Sequence, residues 1–529
     1  MGLLFLLASF ILCQLVLSSL AICPKDQSLA LVEFNKTHVV DKSLASFNCV
    51  FYEAQKSYPK TSSWNMNKDC CSWDGIICDE MTGHVIELDL SCSQLVGKID
   101  SNSSLFQLFH LQRLDLSGNN FSNSHISPKF GRFSSLTYLD LSHSSFSGQI
   151  PSEISHLSKL QSLGLSGNFP LFLDADLRLA AHDFKLLLQN LTQLKKLDLR
   201  YVNISSTVPL NFSSHLTEAG GIFHLSNLQV LDLDGNKELS GNFPKSKWNS
   251  SSSLVELDLG EVNFHGYLLP ESLGYLTSLQ SLVLWFCNLS GPIPTSLWNL
   301  THIEYLILEN NHLEGSLPDF KYHIITEIRL GNNQLQGPLP KSIQNLVNLS
   351  WLDIPSNHFS GNVDVSFFSN LKKLWFLDLS FNSISLTNEK KAKSTLPESL
   401  GHLRLAACEV KELNFLRSAG HLEQLDLSFK KLARIGQIPL SYLYYIDLRS
   451  NILQGSLPIP PPYVNDRIPQ TNNTTFVPDE ENDSTFLSEL SWKVVLMGYA
   501  EDLEYRIIMR RRKKQRGQMH YRRRRNNGI

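Results

Sequence analysis

The chain repeats one nine-residue motif along most of its length, and this repetition constrains the fold more than any other feature. The motif reads Leu-x-x-Leu-x-Leu-x-x-Asn, with Ile or Val in place of some Leu residues, and it recurs roughly every 24 residues. It runs, for example, from Leu111 to Asn119 and from Ile325 to Asn333. A unit this short cannot bury its apolar residues alone, so successive units must stack and share one elongated core.

The spacing within the motif predicts an α/β leucine-rich-repeat solenoid with a curved outline. In each unit the Leu-x-Leu core forms a short parallel strand whose apolar residues point inward, while the intervening residues point outward onto the concave face. The Asn closes the following turn by hydrogen bonding to backbone groups. A later Gly allows a sharp turn, and a Pro then begins a 3₁₀ or extended segment on the convex side.

The repeat boundaries can be assigned from the motif. We expect repeats to begin at Val85, Leu111, Leu136, Leu160, Leu194, Leu228, Leu254, Leu279, Ile303, Ile325, Leu349, Leu374, Leu400, Leu422 and Leu443. The Asn is kept at Asn119, Asn168, Asn236, Asn311, Asn333, Asn357, Asn382 and Asn451. Val202, Val262 and Lys430 replace it, which predicts local irregularity there.

Two repeats are longer than the others. The units that begin at Leu160 and Leu194 each span about 34 residues, and their extra segments cover residues 169–184 and 209–221. We expect these segments to bulge as loops. A functional loop and a neutral insertion are equally compatible with the sequence.

The N-terminus is typical of a secretory signal peptide. Residues 2–21 are almost wholly apolar, and Ser19-Leu20-Ala21 offers a small-x-small cleavage site, so residues 1–21 are assigned to the signal peptide. An uncleaved anchor is the alternative. Residues 22–84 are assigned to a cap that covers the open apolar end of the first repeat. Clustered cysteines in a secreted chain indicate disulfide bonds, with Cys23, Cys49, Cys70, Cys71 and Cys78 as the candidates.

Charge and motif content exclude several functional classes. The net charge is −3, but the basic residues concentrate beyond Leu503, which leaves the main body near −13 and does not indicate nucleic-acid binding. Cys287 and Cys408 occupy the Asn position of their repeats and are expected to be buried free thiols. No metal-ligand spacing, phosphate-binding loop or catalytic motif is present in the sequence, so we expect no metal, no cofactor and no enzymatic activity.

Glycosylation sequons support secretion and favour glycans on the convex side. The Asn-x-Ser/Thr sites are Asn35, Asn102, Asn120, Asn190, Asn203, Asn211, Asn249, Asn288, Asn299, Asn348, Asn472, Asn473 and Asn482.

Outward-facing strand positions supply the candidate ligand-binding residues, because exposed aromatic and Arg side chains give large contact area at low entropic cost. The candidates are Arg113, Tyr138, Lys196, Tyr201, Trp285, Phe286, Tyr305, Arg329, Trp351 and Phe376. The Trp285-Phe286 pair favours recognition. Repeated Asp residues, such as Asp115 and Asp258, are interpreted instead as keeping the strands soluble.

On these features the chain resembles the plant leucine-rich-repeat receptor-like proteins of the disease-resistance class, which carry an extracellular solenoid and no kinase domain. The resemblance rests on residues 69–78, residues 83–90, the Gly-x-Ile-Pro repeats and the two long units, and it covers residues 1–458. It implies a cell-surface ectodomain that binds a peptide or protein ligand. It further implies defence or developmental signalling through a co-receptor kinase, on the extracellular side of the plasma membrane.

The C-terminal part departs from the pattern of that family. The solenoid is assigned to residues 85–458, a Pro-rich and then acidic linker to 459–490, and a basic disordered tail to 501–529. Residues 491–500 resemble the start of a membrane helix, but Glu501 and Asp502 end an apolar run that would need about 20 residues. The chain is therefore interpreted as truncated, and secreted or retained in the endoplasmic reticulum. The alternatives are a secreted inhibitor of microbial wall-degrading enzymes and a nonfunctional truncated product.

Overall fold

The computed structural model of the chain describes most of residues 21–451. The described residues are 21–42, 49, 57–122, 124–167, 177–204, 225–241, 243, 253–321, 324–388, 396–410, 413–430, 442–443 and 445–451. The predictions for residues 1–20, 209–221 and 452–529 lie outside this part of the chain. The molecule divides into two compact units, with the described residues up to Leu239 in the first and those from Ser240 in the second.

The first unit is built on a sheet of short repeat strands. Leu114, at the centre of one strand, is fully buried and lies opposite Leu88 and Leu139 of the neighbouring strands. The strands are parallel except the first, which is antiparallel to the second. They are Ile76–Cys78, Val85–Asp89, Arg113–Asp115, Tyr138–Asp140, Ser162–Gly164, Lys196–Asp198 and Val230–Asp232.

The N-terminal cap is linked covalently to the first repeat by a disulfide bond. It contains the helix Lys25–Lys36, the 3₁₀ segments Lys60–Ser63 and Cys70–Ser72, and the strand His38–Val40, which pairs antiparallel with Leu95–Gly97. The disulfides join Cys23 to Cys70, Cys71 to Cys78 and Cys49 to Cys92. All five candidate cysteines are paired. Cys92 was not among them, because it lies in the turn of the first repeat rather than in the cap.

Short 3₁₀ helices follow most repeat strands on the side away from the sheet. They are Ser104–Gln107, Pro128–Arg132 and Ser152–His156 in the first unit, and Glu271–Tyr275, Thr295–Asn299, Lys341–Asn345, Val365–Phe368 and Asn414–Ser418 in the second.

The long repeat that begins at Leu160 does not form a plain loop as predicted. Residues 168–176 lie outside the described part, but the segment ends in the strand Leu177–Arg178 and the start of the helix Ala181–Asn190. Phe184, Leu187 and Leu188 lie on one face of this helix at helical spacing and are buried. The apolar spacing within the insertion therefore decides its structure, and the loop prediction was wrong there.

The second unit carries two sheets of parallel strands. The repeat strands are Glu256–Asp258, Ser281–Val283, Tyr305–Ile307, Glu327–Arg329, Trp351–Asp353, Phe376–Asp378, His402–Arg404, Gln424–Asp426 and Tyr445–Asp447. The second sheet comprises Ser290–Pro292, His312–Ser316, Gln334–Gly337, His358–Asp364, Ser383–Thr387 and Glu409–Val410. Each of these strands follows the turn that ends a repeat strand.

The predicted ladder of Asn side chains links neighbouring repeats. The Nδ2 of Asn333 donates to the carbonyl of Leu330 in its own repeat (3.1 Å) and to that of Leu308 in the preceding one (3.0 Å). Its Oδ1 accepts from the backbone N–H of Leu313 (3.0 Å). Similar bonds are made by Asn119, Asn236, Asn311, Asn357, Asn382 and Asn451.

Repeats without the Asn close the turn in other ways. At Val202 and Val262 the backbone N–H itself bonds to the carbonyl three residues earlier, Leu199 (3.4 Å) and Leu259 (3.1 Å). At Lys430 the side-chain Nζ instead donates a hydrogen bond to the carbonyl oxygen of Cys408 (2.9 Å). The irregularity predicted from the sequence is therefore confined to the turn, because Gln424–Asp426 still pairs in register with both neighbouring strands.

Lys430→Asn is expected to raise the free energy of unfolding by about 1 kcal/mol, because it restores a neutral ladder side chain with several bonds. Burial lowers the pKa of Lys430 to about 8, so its charge is disfavoured at this site. Urea denaturation followed by circular dichroism measures the change. Lys372→Asn, at an exposed position, is the control and should have no measurable effect. A less stable Lys430→Asn variant would contradict this account.

The residue before the ladder position adopts a left-handed backbone conformation in most described repeats, because the chain reverses there as it leaves the strand. Its φ is +54° at Tyr201, +51° at Phe286 and +55° at Phe381, although none of these is Gly. Each such L-residue costs about 1–2 kcal/mol. Similar values occur at His143, Glu261, Asn310, Asn332, Ser356, Ala407, Phe429 and Ser450.

No helix among the described residues has both the length and the apolar character needed to cross a membrane.

Candidate ligand-binding surface

The candidate site is the outward face of the repeat strands, formed by the side chains at positions three, five and seven of the motif. Asp occupies position five in most repeats and is structural rather than merely solubilising. In all of these repeats except that of Asp353, its carboxylate accepts the backbone N–H two residues later, as in Asp115 to Ser117 (3.1 Å) and Asp426 to Ser428 (2.9 Å). This bond ends the strand in the manner of an Asx turn. The same bond is made by Asp89, Asp140, Asp198, Asp232, Asp258, Asp378 and Asp447.

Arg113 and Tyr138, two of the predicted residues, form one cluster in the first unit. The Arg113 guanidinium lies 3.4 Å from the centre of the Tyr138 ring and bonds to Asp115 (3.1 Å). The Tyr138 hydroxyl donates to Asp115 (3.2 Å) or Asp140 (3.3 Å). Lys196 lies on the outward face as predicted. Tyr201 lies in the turn after its strand, not on the strand, and its hydroxyl bonds to Asp234 (3.3 Å).

An ion-pair cluster that was not among the predicted residues lies on the same face. Arg200 donates from Nη2 to Asp198 (2.6 Å), and its Nε also lies 3.2 Å from Asp232. Burial alone would raise the pKa of Asp198, but Arg200 outweighs it and holds that pKa far below its usual range. The sequence signal was available, because Arg two residues after the position-five Asp is the spacing that permits this fork-shaped contact.

Three predicted residues in the second unit stack on one another. The Trp351 and Phe376 rings are parallel with centres 3.6 Å apart. Arg329 lies over Trp351 (4.6 Å), and Arg404 lies over Phe376 (5.2 Å). The result is an Arg–Trp–Phe–Arg stack across four consecutive strands. Trp351 and Phe376 are each only 2% exposed, so the prediction that they present open aromatic surface was wrong.

Trp285, Phe286 and Tyr305 form a more accessible group. Trp285 and Tyr305 are half-buried on the outward face, and Phe286 is 53% exposed in the turn that follows its strand. The Trp285 and Phe286 rings meet edge to face at 5.4 Å. Beside them Val283 and Ile307 occupy position five, where most repeats have Asp. Neither residue was predicted from the sequence, although the loss of the regular Asp was a usable signal.

The described sequons lie away from the outward-facing strand positions. Asn102, Asn190, Asn203, Asn288 and Asn299 are exposed, whereas Asn35, Asn120 and Asn348 are half-buried. Glycans at these sites would leave the strand face accessible.

Acidic side chains crowd one part of the outward face in the second unit. Burial, followed by the charges of Asp378 and Glu309, raises the pKa of Asp353 well above its usual range. Burial likewise raises the pKa of Asp378 to about 6, against the opposing effect of Arg404. Asp353 differs from the other position-five Asp residues because Pro355 stands two residues later and has no N–H to donate.

Asp353→Asn is therefore expected to raise the thermal midpoint at pH 7, by about 2–4 °C for each kcal/mol gained. A carboxyl group with a raised pKa takes up a proton on folding, so wild-type stability should fall as the pH rises above about 4, the unfolded pKa, towards the raised pKa of the folded state. The variant should show a shallower fall. Thermal denaturation between pH 4 and 8 measures both effects. Asp319→Asn, which removes an exposed charge, is the control, and a lower midpoint for Asp353→Asn at pH 7 would contradict this account.

Comparison with known proteins agrees with this architecture. Residues 51–79 match the family model described as leucine rich repeat N-terminal domain, and residues 109–168, 278–300 and 325–346 match leucine rich repeat models. The chain is 48% identical over 306 residues to Receptor-like protein 9DC1 of Solanum pimpinellifolium. This alignment covers 55% of this chain and 34% of that protein. The chain belongs to the leucine-rich-repeat receptor-like proteins of plants. Membership of this receptor family confirms the prediction that it is not an enzyme.

Other relatives of this receptor-like protein match over similar or longer stretches. Receptor-like protein Cf-9 of Solanum pimpinellifolium is 48% identical over 293 residues, covering 52% of this chain and 33% of that protein. Receptor-like protein 39 of Arabidopsis thaliana is 31% identical over 416 residues, covering 73% of this chain and 44% of that protein. The matched part of the chain therefore spans 33% to 44% of the length of these curated relatives.

Solved structures confirm the fold of this receptor-like protein. The ectodomain of the Arabidopsis receptor kinase HAESA, in complex with the peptide hormone IDA and the co-receptor SERK1, superimposes with a TM-score of 0.60 at 25% identity. The match covers 82% of this chain and 75% of that one. The plant peptide hormone receptor RGFR1, in complex with RGF2, gives a TM-score of 0.52 at 24% identity, covering 72% and 68%. The predicted leucine-rich-repeat solenoid with a disulfide-containing cap is thus confirmed.

Proposed function

We propose that this chain is the ligand-recognition ectodomain of a cell-surface receptor and binds a peptide or protein on the outward face of its repeat strands. The observation that carries the proposal is the group of aromatic and apolar side chains around Trp285 and Tyr305. The preceding repeat and most others place a strand-ending Asp on this face, so large apolar residues here are not required by the repeat itself. Accessible aromatic residues with Arg nearby are typical of protein-binding hot spots.

The relatives support the proposed setting. They are receptor-like proteins, and the solved neighbour HAESA was crystallised with a peptide hormone and a co-receptor. We therefore assign this chain to the extracellular side of the plasma membrane, with signalling in defence or development through a partner kinase. In this assignment residues 22–84 form the cap and residues 85–458 the recognition solenoid, and the sequons carry glycans that leave the strand face free.

The proposal is tested by binding of extracellular peptides to the purified full chain. Fractions of plant extracellular fluid and of microbial culture filtrates are assayed by surface plasmon resonance. A fraction that binds the wild type should bind Trp285→Ala with Tyr305→Ala at least about tenfold more weakly, as expected for hot-spot residues. The control is Phe109→Ala with Val347→Ala, which removes exposed apolar side chains away from the strand face. Equal binding by all three proteins would overturn the proposal.

A further inference from the structure

The regular Asp at position five is replaced by an apolar residue at two adjacent strands of the second unit. Val283 lies opposite Asp258 on one side and Ile307 on the other, and Ile307 lies opposite Arg329. Adjacent strands are about 4.8 Å apart, so the two β-branched side chains form a single apolar patch about two strands wide. Such a patch accommodates one large side chain of a ligand rather than an extended apolar segment.

Aromatic side chains border this patch. Trp285 follows Val283 on the same outward face, and Tyr305 precedes Ile307. Both are half-buried, with part of each ring accessible. Val283 is 4% exposed and forms the floor, whereas the Phe286 ring projects from the turn beside it. The patch is therefore a shallow apolar depression with an aromatic rim.

The surface around the depression is acidic. Among the outward and turn positions of the four repeats that begin at Leu254, Leu279, Ile303 and Ile325, five residues are acidic and one is basic. The single basic residue, Arg329, is already paired with Glu327 at 2.6 Å. The acidic residues are Glu256, Asp258, Glu261, Glu309 and Glu327. A ligand with Lys or Arg on both sides of its apolar residue matches this charge distribution.

The strand spacing sets the distance between the two features. Glu309 lies two residues beyond Ile307, past the end of its strand, so Asp258 and Glu309 are two strands and two residues apart, a distance of about 12 Å. Side chains two residues apart on an extended peptide lie on the same face, separated by about 6.6 Å. A peptide that crosses the strands obliquely, from Asp258 towards Glu309, would therefore bring basic residues two positions before and two after its apolar residue, about 13 Å apart, within reach of both carboxylates.

We propose that the outward face around Val283 and Ile307 is a subsite for an extended peptide of the pattern basic-x-apolar-x-basic, with the apolar side chain seated between Trp285 and Tyr305. This inference rests on the proposed function and adds the class of ligand. The expected order of preference at the central position is Phe or Leu over Ala, and the flanking Lys or Arg residues contribute through charge complementarity.

Four synthetic peptides test the pattern against the purified full chain. They are acetyl-Gly-Lys-Ser-Phe-Ser-Lys-Gly-amide and three variants: Phe replaced by Ala, both Lys replaced by Glu, and the two Lys moved next to the Phe. Isothermal titration calorimetry should give the first peptide a Kd at least about tenfold below those of the Ala and Glu peptides and about threefold below that of the peptide with shifted Lys. A spread of less than about twofold among the four would overturn the inference.

A second variant makes the test specific to the subsite. Val283→Asp with Ile307→Asp introduces the residue that most repeats carry at this position, where it accepts the N–H two residues later, so the fold should be retained. This double variant should weaken the first peptide at least about tenfold, whereas Val230→Asp on the first unit should not change it. Unchanged binding to the double variant, with an unchanged circular dichroism spectrum, would overturn the inference. The proposed function would still stand if extracellular fractions bound the wild type and lost binding with Trp285→Ala and Tyr305→Ala.

Discussion

Arg200→Met is expected to lower the free energy of unfolding of the first unit by about 3–5 kcal/mol at pH 7. The substitution keeps a long apolar stem but removes the guanidinium from Asp198, which is 4% exposed. Asp232 and Asp234 lie in the same cluster and also interact with Arg200. In the variant these carboxylates would stay close together without the cation that they share. Removing one partner of a buried ion pair is strongly destabilising, because it leaves an uncompensated charge in the interior.

The pH dependence of this variant should differ in sign from that of the wild type. In the wild type the pKa of Asp198 is depressed, so its stabilising contribution is present above the unfolded pKa of about 4 and is lost as the pH falls further. Without Arg200 the carboxylates are favoured in protonated form, so the variant should regain stability as the pH falls from 7 to 5. Urea denaturation at several pH values measures both trends.

A matched control is available in the second unit. Arg449 makes the same fork-shaped contact with Asp447, also at 2.6 Å, but its side chain is 44% exposed. Because water screens this pair, Arg449→Met should cost no more than about 1 kcal/mol. Equal losses for the two variants would show that burial does not determine the contribution of the Arg200 pair and would contradict the prediction.

Asn333→Ala is expected to lower the free energy of unfolding of the second unit by about 2–4 kcal/mol. The side chain is 7% exposed and donates to Leu308, Leu330 and Gly331. Removing it also takes away the acceptor for the Leu313 N–H, and an unsatisfied buried donor costs about 1–3 kcal/mol. Because these bonds join two repeats, the loss should reduce the cooperativity of the stack as well as its stability.

Hydrogen exchange locates this second effect. The Leu313 amide in the strand His312–Ser316 should exchange faster in Asn333→Ala, while amides of the first unit should be unchanged. The control is Asn345→Ala, which removes an exposed Asn at the end of Lys341–Asn345 and should change stability by less than about 0.5 kcal/mol. A loss of less than about 1 kcal/mol for Asn333→Ala would show that the ladder is not a major source of stability.

The repeat architecture was predictable from the sequence because each repeat carries the same local signals. The inward Leu residues, the ladder Asn and the turn Gly each have one structural role, and those roles recur in every stack of this kind. Two features depended instead on interactions between repeats and were not predicted. Cys92 pairs across the boundary between the cap and the solenoid. Part of the insertion after Leu160 forms the helix Ala181–Asn190, whose buried face depends on packing against the stack.

The candidate surface was only partly predictable for the same reason. Alternation identifies which side chains point outward, but their accessibility depends on the neighbouring repeats. Trp351 and Phe376 point outward and are nevertheless covered by each other and by flanking Arg side chains. Val283 can be recognised as an unusual residue only when it is compared with the Asp residues at the same position in other repeats.

The left-handed residue that precedes the ladder position has a consequence for how such a receptor can diversify. The described repeats hold side chains as different as those of Glu261, Phe286 and Ala407 in nearly the same backbone conformation. The conformational cost is thus already included in the fold, so exchange among these side chains changes surface chemistry with little change in backbone geometry. A combinatorial library that varied only this row would sample new binding specificities on one constant scaffold.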